Sequence, residues 1–295
     1  MLCRRIVVAL MVATFAILLV GCSNPPIDTS EDLSRIAGWR GKAPRSVNAF
    51  NFIVFSDRTG GHAPGEWAAA VREANLLNPD FVICVGDLIE GGTDDRAVLK
   101  KEWDEFDALT RELDAPFFYC AGNHDVTNDV MLEMYVDRHG VDSRSYYSFD
   151  YRRCHFVVLD SWTAFHSEAF AEAQFRWLEK DLAASKDAEH VFLFYHHLHF
   201  HHDVHFPDYR LWTELRKLVP PKKTTIFNGD QHKLLHSERD GIVSYVLGAT
   251  ASVHYNRELG GFLMFAHVAV DAGKPTIAVV PLHKVLPAPG PAPGG

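Results

Sequence analysis

Residues 117–125 read Phe117-Phe118-Tyr119-Cys120-Ala121-Gly122-Asn123-His124-Asp125, an apolar run that ends on a glycine and three polar side chains. Phe117 to Cys120 has the length and character of a buried strand. The glycine lets the chain turn sharply before the polar group. The same grammar recurs along the chain. Phe52 to Phe55 leads into Ser56-Asp57-Arg58-Thr59-Gly60-Gly61, and Phe81 to Val85 into Gly86-Asp87. Val191 to Tyr195 leads into His196-His197, and Thr225 to Phe227 into Asn228-Gly229-Asp230-Gln231-His232. One such knot is an ordinary turn, and Asn-His-Asp by itself could simply cap a helix. Five in register, after five apolar runs, are hard to obtain by chance.

Helical patterns separate the first runs. Trp67, Ala70, Val71, Ala74 and Leu77 recur at helical spacing, and Asn78-Pro79 stops them. Leu99, Trp103, Phe106, Leu109 and Leu113 line a second face. The first half is therefore β-α-β-α-β, the size of right-handed parallel units. The second half is richer in strands. Tyr146–Phe149 and His155–Leu159 read as a hairpin, Phe170, Trp177, Leu178 and Leu182 as a helix, and Val243–Leu247, Leu263–Val270 and Thr276–Val280 as strands. The expected fold is an α/β sandwich of two mixed β-sheets flanked by helices. In parallel sheets the carboxyl ends of the strands share one edge, so the five knots should converge there.

Of 295 residues, 47% are apolar and 23% charged, ordinary for a globular protein. The start reads as an export signal: Arg4 and Arg5, an apolar run from Ile6 to Val20, then Leu19-Val20-Gly21-Cys22. The run is shorter than the ~20 residues a spanning helix needs. This segment resembles a bacterial lipoprotein signal. The resemblance implies cleavage before Cys22, lipid on its thiol, and an exported chain held at a membrane, periplasmic or at the cell surface. Without residues 1–21 the chain carries 27 basic against 38 acidic residues, a balance of −11. Such a surface repels a nucleic-acid backbone. A phosphate substrate could still bind where metal ions supply local positive charge. Residues 22–48 read as a tether, 49–284 as one folded domain, and 285–295, almost wholly Pro, Ala and Gly, as a disordered tail. Cys84, Cys120 and Cys154 sit in or beside apolar runs and read as buried free thiols.

The order Asp57, Gly86-Asp87, Gly122-Asn123-His124-Asp125, His196, and Gly229 with His232 resembles the calcineurin-like metallophosphoesterase superfamily, over about residues 50–281. Tyr146–Phe149, His155–Ser161 and Gln174–Leu182 support the likeness. The resemblance implies metal-dependent hydrolysis of phosphate mono- or diesters at two divalent ions, Mn, Fe, Zn, Mg or Ca. It places Asp87 as the bridge between them, Asp57 and His232 on the first metal, Asn123 and His196 on the second, and His124 over the leaving group. A shared carboxylate offsets the repulsion between two cations about 3.5–4 Å apart. A proton-donating His124 can protonate the departing alkoxide, and Asp125 is expected to orient it as carboxylates do for histidines.

Two positions depart from the family pattern: Thr59 stands where a histidine is expected, and Asp230 where another is. Asp230 can bind a hard cation through oxygen, whereas at Thr59 the gap is left to His62 or to water; fewer nitrogen ligands and one more carboxylate favour oxygen-loving ions such as Mn²⁺, Mg²⁺ or Ca²⁺. Arg58 offers a planar fork for phosphate oxygens. His197 is expected at the substrate, ahead of a cluster formed by His199, His201, His202 and His205. Export makes a small or cell-surface phosphoester the expected substrate. Two other readings remain: a non-catalytic lipoprotein on a degenerate scaffold, motivated by Thr59 and Asp230, and a protein phosphatase. No Gly-x-Ser-x-Gly supports a serine hydrolase.

Overall fold

A computed structural model describes residues 49–197, 210–254 and 261–282. The expectations for the export signal, Cys22, the tether, His199, His201, His202, His205 and the Pro/Gly tail lie outside these residues.

In chain order the first half holds β1 (Ala49–Phe55), α1 (Glu66–Leu77), β2 (Phe81–Cys84), α2 (Arg96–Thr110), β3 (Phe117–Phe118), α3 (Asn123–Val126) and α4 (Asp129–His139). There follow β4 (Tyr147–Tyr151), β5 (Cys154–Val158), α5 (Ser161–His166), α6 (Glu168–Ala184) and β6 (His190–Phe194). The last are α7 (Arg210–Leu218), β7 (Thr224–Asn228), β8 (Leu235–Arg239), β9 (Ile242–Val246), β10 (Met264–Asp271) and β11 (Lys274–Pro281). Helix α1 ends where the sequence says it should. Asn78 takes a left-handed φ of 49° ahead of Pro79, which cannot continue a helix.

The strands form two mixed sheets, ordered β11-β10-β1-β2-β3 and β4-β5-β6-β7-β9-β8. Within the first, β1, β2 and β3 run parallel. Within the second, β5, β6, β7 and β9 run parallel. Antiparallel strands occupy the flanks. Between the sheets lies an aromatic core. Phe52 and Phe81 of the first sheet meet Phe156 of the second edge-on at 5.4 and 5.3 Å. Phe192 meets Phe52 the same way at 5.1 Å. Edge-to-face pairs add about 0.5–1.5 kcal/mol each beyond the area they bury. Cys84, Cys120 and Cys154 are buried free thiols in this interior.

The hairpin β4–β5 is pinned to α6 by one buried imidazole. His155 Nδ1 donates to Asp150 Oδ1 at 2.7 Å and Nε2 to Asp181 Oδ2 at 2.8 Å. Burial opposes the charged ring, but the two carboxylates outweigh it and carry His155 up to about 9. A folded-state pKa above the unfolded value of about 6.5 stabilises the fold fully below pH 6.5, and that stability is lost as pH rises through 9. With the half-exposed Asp150 screened by solvent, the loss should be roughly 2 kcal/mol. It should appear as a falling urea midpoint between pH 6.5 and 9, and His155→Gln should flatten it.

Candidate metal centre

The five polar knots meet where both parallel strand sets end. Asp57 follows β1, Asp87 follows β2, and Asn123 opens α3 shortly after β3. His196 follows β6 and Asp230 follows β7. His196 Nε2 lies 3.2 Å from Asp87 Oδ2 and 3.9 Å from both Asp57 Oδ1 and Asp230 Oδ1. His232 Nε2 lies 3.1 Å from Asp57 Oδ1. Asp57 and His196 are wholly buried and Asp87 nearly so. Asp57, Asp87 and His196 can offer ligand atoms to a single ion, and so can His196, His197 and Asp230.

Backbone shape explains why these residues and no bulkier neighbours build the centre. Asp87, Asp230 and His232 have left-handed φ values of 60°, 69° and 50°. Non-glycine residues held there are strained, and such strain collects at functional sites. Asp87, Asn123 and Asp230 are each preceded by a glycine with no room for a side chain. A Cβ on Gly86 would stand 2.6 Å from the Gly122 nitrogen, and one on Gly229 2.6 Å from Asp57 Oδ2. A Cβ on Gly122 would land on the Asp87 carboxylate.

Main-chain carbonyls aim the three imidazoles. The Nδ1 of His196 sits 2.7 Å from the Val85 carbonyl, and that of His124 2.7 Å from the Glu90 carbonyl. His232 Nδ1 bonds the His254 carbonyl. Donation through Nδ1 leaves Nε2 as the free ligand atom or, on a cationic ring, the free donor. Among the described residues His196 Nε2 is buried with no aligned hydrogen bond; Asp87 Oδ2, at 3.2 Å, is the nearest of the three carboxylates, and a cation held by both would satisfy it.

Electrostatics agree. Burial alone would raise Asp57, but hydrogen bonding from His232 and the charges of His196 and His232 hold it far below the usual carboxylate range. Burial and the Asp57 and Asp87 charges push Asp230 up despite His196 and Gln231. Against the pull of burial, Asp57 carries His232 up to about 9, and Asp87 raises His196 well above its ordinary value. The carboxylates thus favour positive charge on both imidazoles. A divalent cation would replace the protons that carry it.

Two expectations need correction, and one open choice is decided. Asp125 does not orient His124. Its Oδ2 accepts the N–H groups of Asp87 and Gly122, both at 2.8 Å, and its Oδ1 those of Leu88 and Ile89 at 2.8 and 3.2 Å. The carboxylate shapes the loop after β2, while the Glu90 carbonyl orients His124. Arg58 does not face a substrate. Its guanidinium is buried over the Phe106 ring, bonded to the Leu88 carbonyl and to Glu105 Oε1 at 2.7 Å. Arg58→Lys is accordingly expected to leave KM for a phosphoester within about threefold and to lower stability by about 1–2 kcal/mol, read from steady-state kinetics and thermal unfolding. His62 does not fill the gap at Thr59. It is exposed, with Nδ1 3.0 Å from Glu90 Oε1.

The remaining candidates are placed as follows. Asn123 opens α3 between Gly122 and His124, whose N–H donates to Asp87 Oδ1 at 2.9 Å. His197 is buried beside His196, its Nδ1 2.9 Å from Ser161 Oγ and its ring stacked on Trp162 at 5.3 Å. The Thr59 hydroxyl accepts the Gly60 N–H at 2.6 Å and bonds Glu90. Sequence reasoning missed Glu90. Its side chain holds the N–H groups of Gly61 and His62 at 3.1 and 2.8 Å, and its carbonyl holds His124. Ser56, whose hydroxyl bonds Asp57 Oδ2, was missed too. A serine beside an aspartate carries no signal in one sequence. Glu90, three residues after Asp87, is as silent.

Residues 50–234 match the profile of the family described as calcineurin-like phosphoesterase. The chain is 29% identical over 157 residues to "Purple acid phosphatase 22" of Arabidopsis thaliana, covering 48% of this chain and 33% of that protein. It is 33% identical over 96 residues to a "Probable cyclic nucleotide phosphodiesterase" of Moraxella catarrhalis, covering 30% of this chain and 31% of that one. The chain thus spans about a third of the length of these curated relatives. A dimetal phosphatase from Danio rerio superposes with a TM-score of 0.58 at 15% identity, over 80% of this chain and 98% of that one.

Proposed function

The chain belongs to the calcineurin-like phosphoesterase family, and from that premise we propose that it hydrolyses small phosphate mono- or diesters at a two-metal centre. The observation that carries this is the buried His196 Nε2, which among the described residues makes no aligned hydrogen bond and faces the Asp57, Asp87 and Asp230 carboxylates. Two buried carboxylates and the partly exposed Asp230 would repel a phosphate. With cations among them the same pocket attracts it. The residues fit such ions. Asp57, Asp87 and His232 would hold one, and Asp87, Asn123, His196 and Asp230 the other. Bound divalent ions supply Lewis acidity and an activated water for in-line displacement at phosphorus.

The chain's own groups do the rest. Asp57 is kept ionised, against burial, by hydrogen bonding from His232 and the charges of His196 and His232, with the Ser56 hydroxyl adding to them, so it needs no proton removed before it binds a cation. His124 is fixed through Nδ1, and its Nε2 points toward Gly60, 4.0 Å from where a Cβ there would stand. Burial disfavours its cation, but the Asp87 charge and the Glu90 carbonyl win and raise its pKa. A cationic His124 holds a proton on Nε2 and can donate it to the departing oxygen. Oxygen donors outnumber nitrogen donors in this set, which favours Mn²⁺, Mg²⁺ or Ca²⁺ over softer ions.

The test combines stoichiometry with turnover. Purified protein loaded with Mn²⁺ should carry about two ions per chain and cleave a chromogenic phosphate ester. A chelator should abolish the activity, and Mn²⁺ should restore it. Fewer than one ion per chain and no turnover of mono- or diesters would instead favour a binding lipoprotein without catalysis. Thr59, turned to Glu90 where the family carries a histidine, is the feature that supports this second reading. We also propose export and lipid attachment at Cys22, on the strength of the leader sequence. Cys22→Ser should abolish palmitate labelling in a bacterial host and release the protein from the membrane fraction.

A further inference from the structure

Beside the metal-ligand cluster stands an aromatic wall that the hydrolysis itself does not use. Helix α5 packs against α3, which carries Asn123 and His124. Asp160 caps α5 through the Thr163 N–H at 2.8 Å. The first residue, Ser161, is tied to His197 through the His197 backbone N–H at 3.1 Å and through its Nδ1. This places Trp162 in line with the cluster. The ring of His196 meets His197 at 5.0 Å, and His197 stacks on Trp162 at 5.3 Å and 27°. His166 lies 4.2 Å from Trp162, and Phe165 meets His166 edge-on at 4.9 Å. Trp162 is half-buried, whereas Phe165 is 37% exposed and His166 is exposed as well. Large aromatics normally turn inward. Here they continue, ring by ring, from a buried ligand out to solvent.

Resting on the phosphoester reading above, we propose that α5 is a specificity platform on which a planar ring in the organic part of the substrate, aryl or nucleobase, stacks while the phosphate sits at the metal centre. Flat π-faces stack on indole and phenyl rings whatever their hydrogen-bonding edge. Two ring-to-ring steps separate Trp162 from His196, so the platform can reach a ring joined to phosphorus through a sugar as well as one joined nearly directly.

Non-hydrolysable probes separate this from catalysis. Titration calorimetry on the full Mn²⁺-loaded chain would compare phenylphosphonate, the 5′-methylene phosphonate analogue of adenosine monophosphate, and ethylphosphonate, which has no ring. At least one ring-bearing probe should bind about tenfold more tightly than ethylphosphonate, the size expected of one stacked ring. Which one gains tells whether the ring is an aryl group or a base. Trp162→Ala and Phe165→Ala should erase the gain and leave ethylphosphonate unchanged, and Trp162→Phe should keep most of it. Phe165 is exposed, so its variant tests the platform even if Trp162→Ala disturbs the fold. Equal affinity of all three probes for the unaltered protein, or a gain that survives both alanine variants, overturns the platform. Hydrolysis of the matching esters is followed in parallel. Ring preference without turnover leaves the platform standing and removes the phosphoesterase reading; turnover without ring preference does the reverse.

Discussion

Asp87→Asn should lower kcat on a chromogenic phosphoester by roughly a thousandfold and reduce bound metal from about two ions to one or none. Asp87 is the carboxylate best placed to serve two ions. Its Oδ2 faces His196 Nε2 at 3.2 Å, while its Oδ1 accepts the His124 N–H. Asparagine suits the test better than alanine for a conformational reason. Position 87 has φ 60°, a left-handed geometry that asparagine tolerates and alanine resists. The substitution keeps the size and an oxygen for the His124 N–H, removes the charge and turns the other oxygen into an NH₂. Kinetics and elemental analysis on the same sample check it. Retention of more than a tenth of the activity with both ions bound would sink the bridging role.

Asp125→Ala should produce the largest loss of stability of any substitution considered, about 4 kcal/mol, seen as a lower urea midpoint at unchanged slope. Four backbone N–H groups point at its two oxygens, and all four lie in the interior. Alanine would leave each buried donor unmatched. Burial and the neighbouring Asp87 charge push the Asp125 pKa up, yet four donors make the ionised form the one its surroundings are arranged for. Asparagine is intermediate: an oxygen still serves two donors, and an amide NH₂ confronts the other two. If Asp125→Ala unfolds at the same midpoint as the parent, the four bonds are not holding the loop after β2. Because that loop carries Asp87, metal content should fall together with stability.

How much of this was legible beforehand differs by element. The buried strands could be read because their apolar runs are uninterrupted, and the order of the knots pointed to side chains that the fold gathers at one edge. Strand β8, Leu-His-Ser-Glu-Arg, could not be read that way. It lies at a sheet edge with alternate residues exposed and has no apolar run. Helix α4 also went unread. Its capping residue Asn128 sits directly behind the polar knot it closes. At the centre, residue identities named polar groups that the fold brings together but not the directions of their side chains. Arg58 and Asp125 look the same in sequence whether they face a substrate or the backbone. Only the distances to Glu105, Leu88 and the loop amides decide.

The three imidazoles of this centre take their bearing from the carbonyls of Val85, Glu90 and His254. A carbonyl is common to every amino acid, so exchanging the side chain at 254 leaves that anchor in place. A one-residue insertion or deletion between 85 and 90 would move two anchors at once. Tolerance of this centre to change should therefore follow chain length and loop path far more than residue identity at those anchors. In a deep mutational library the damage would be concentrated among indels.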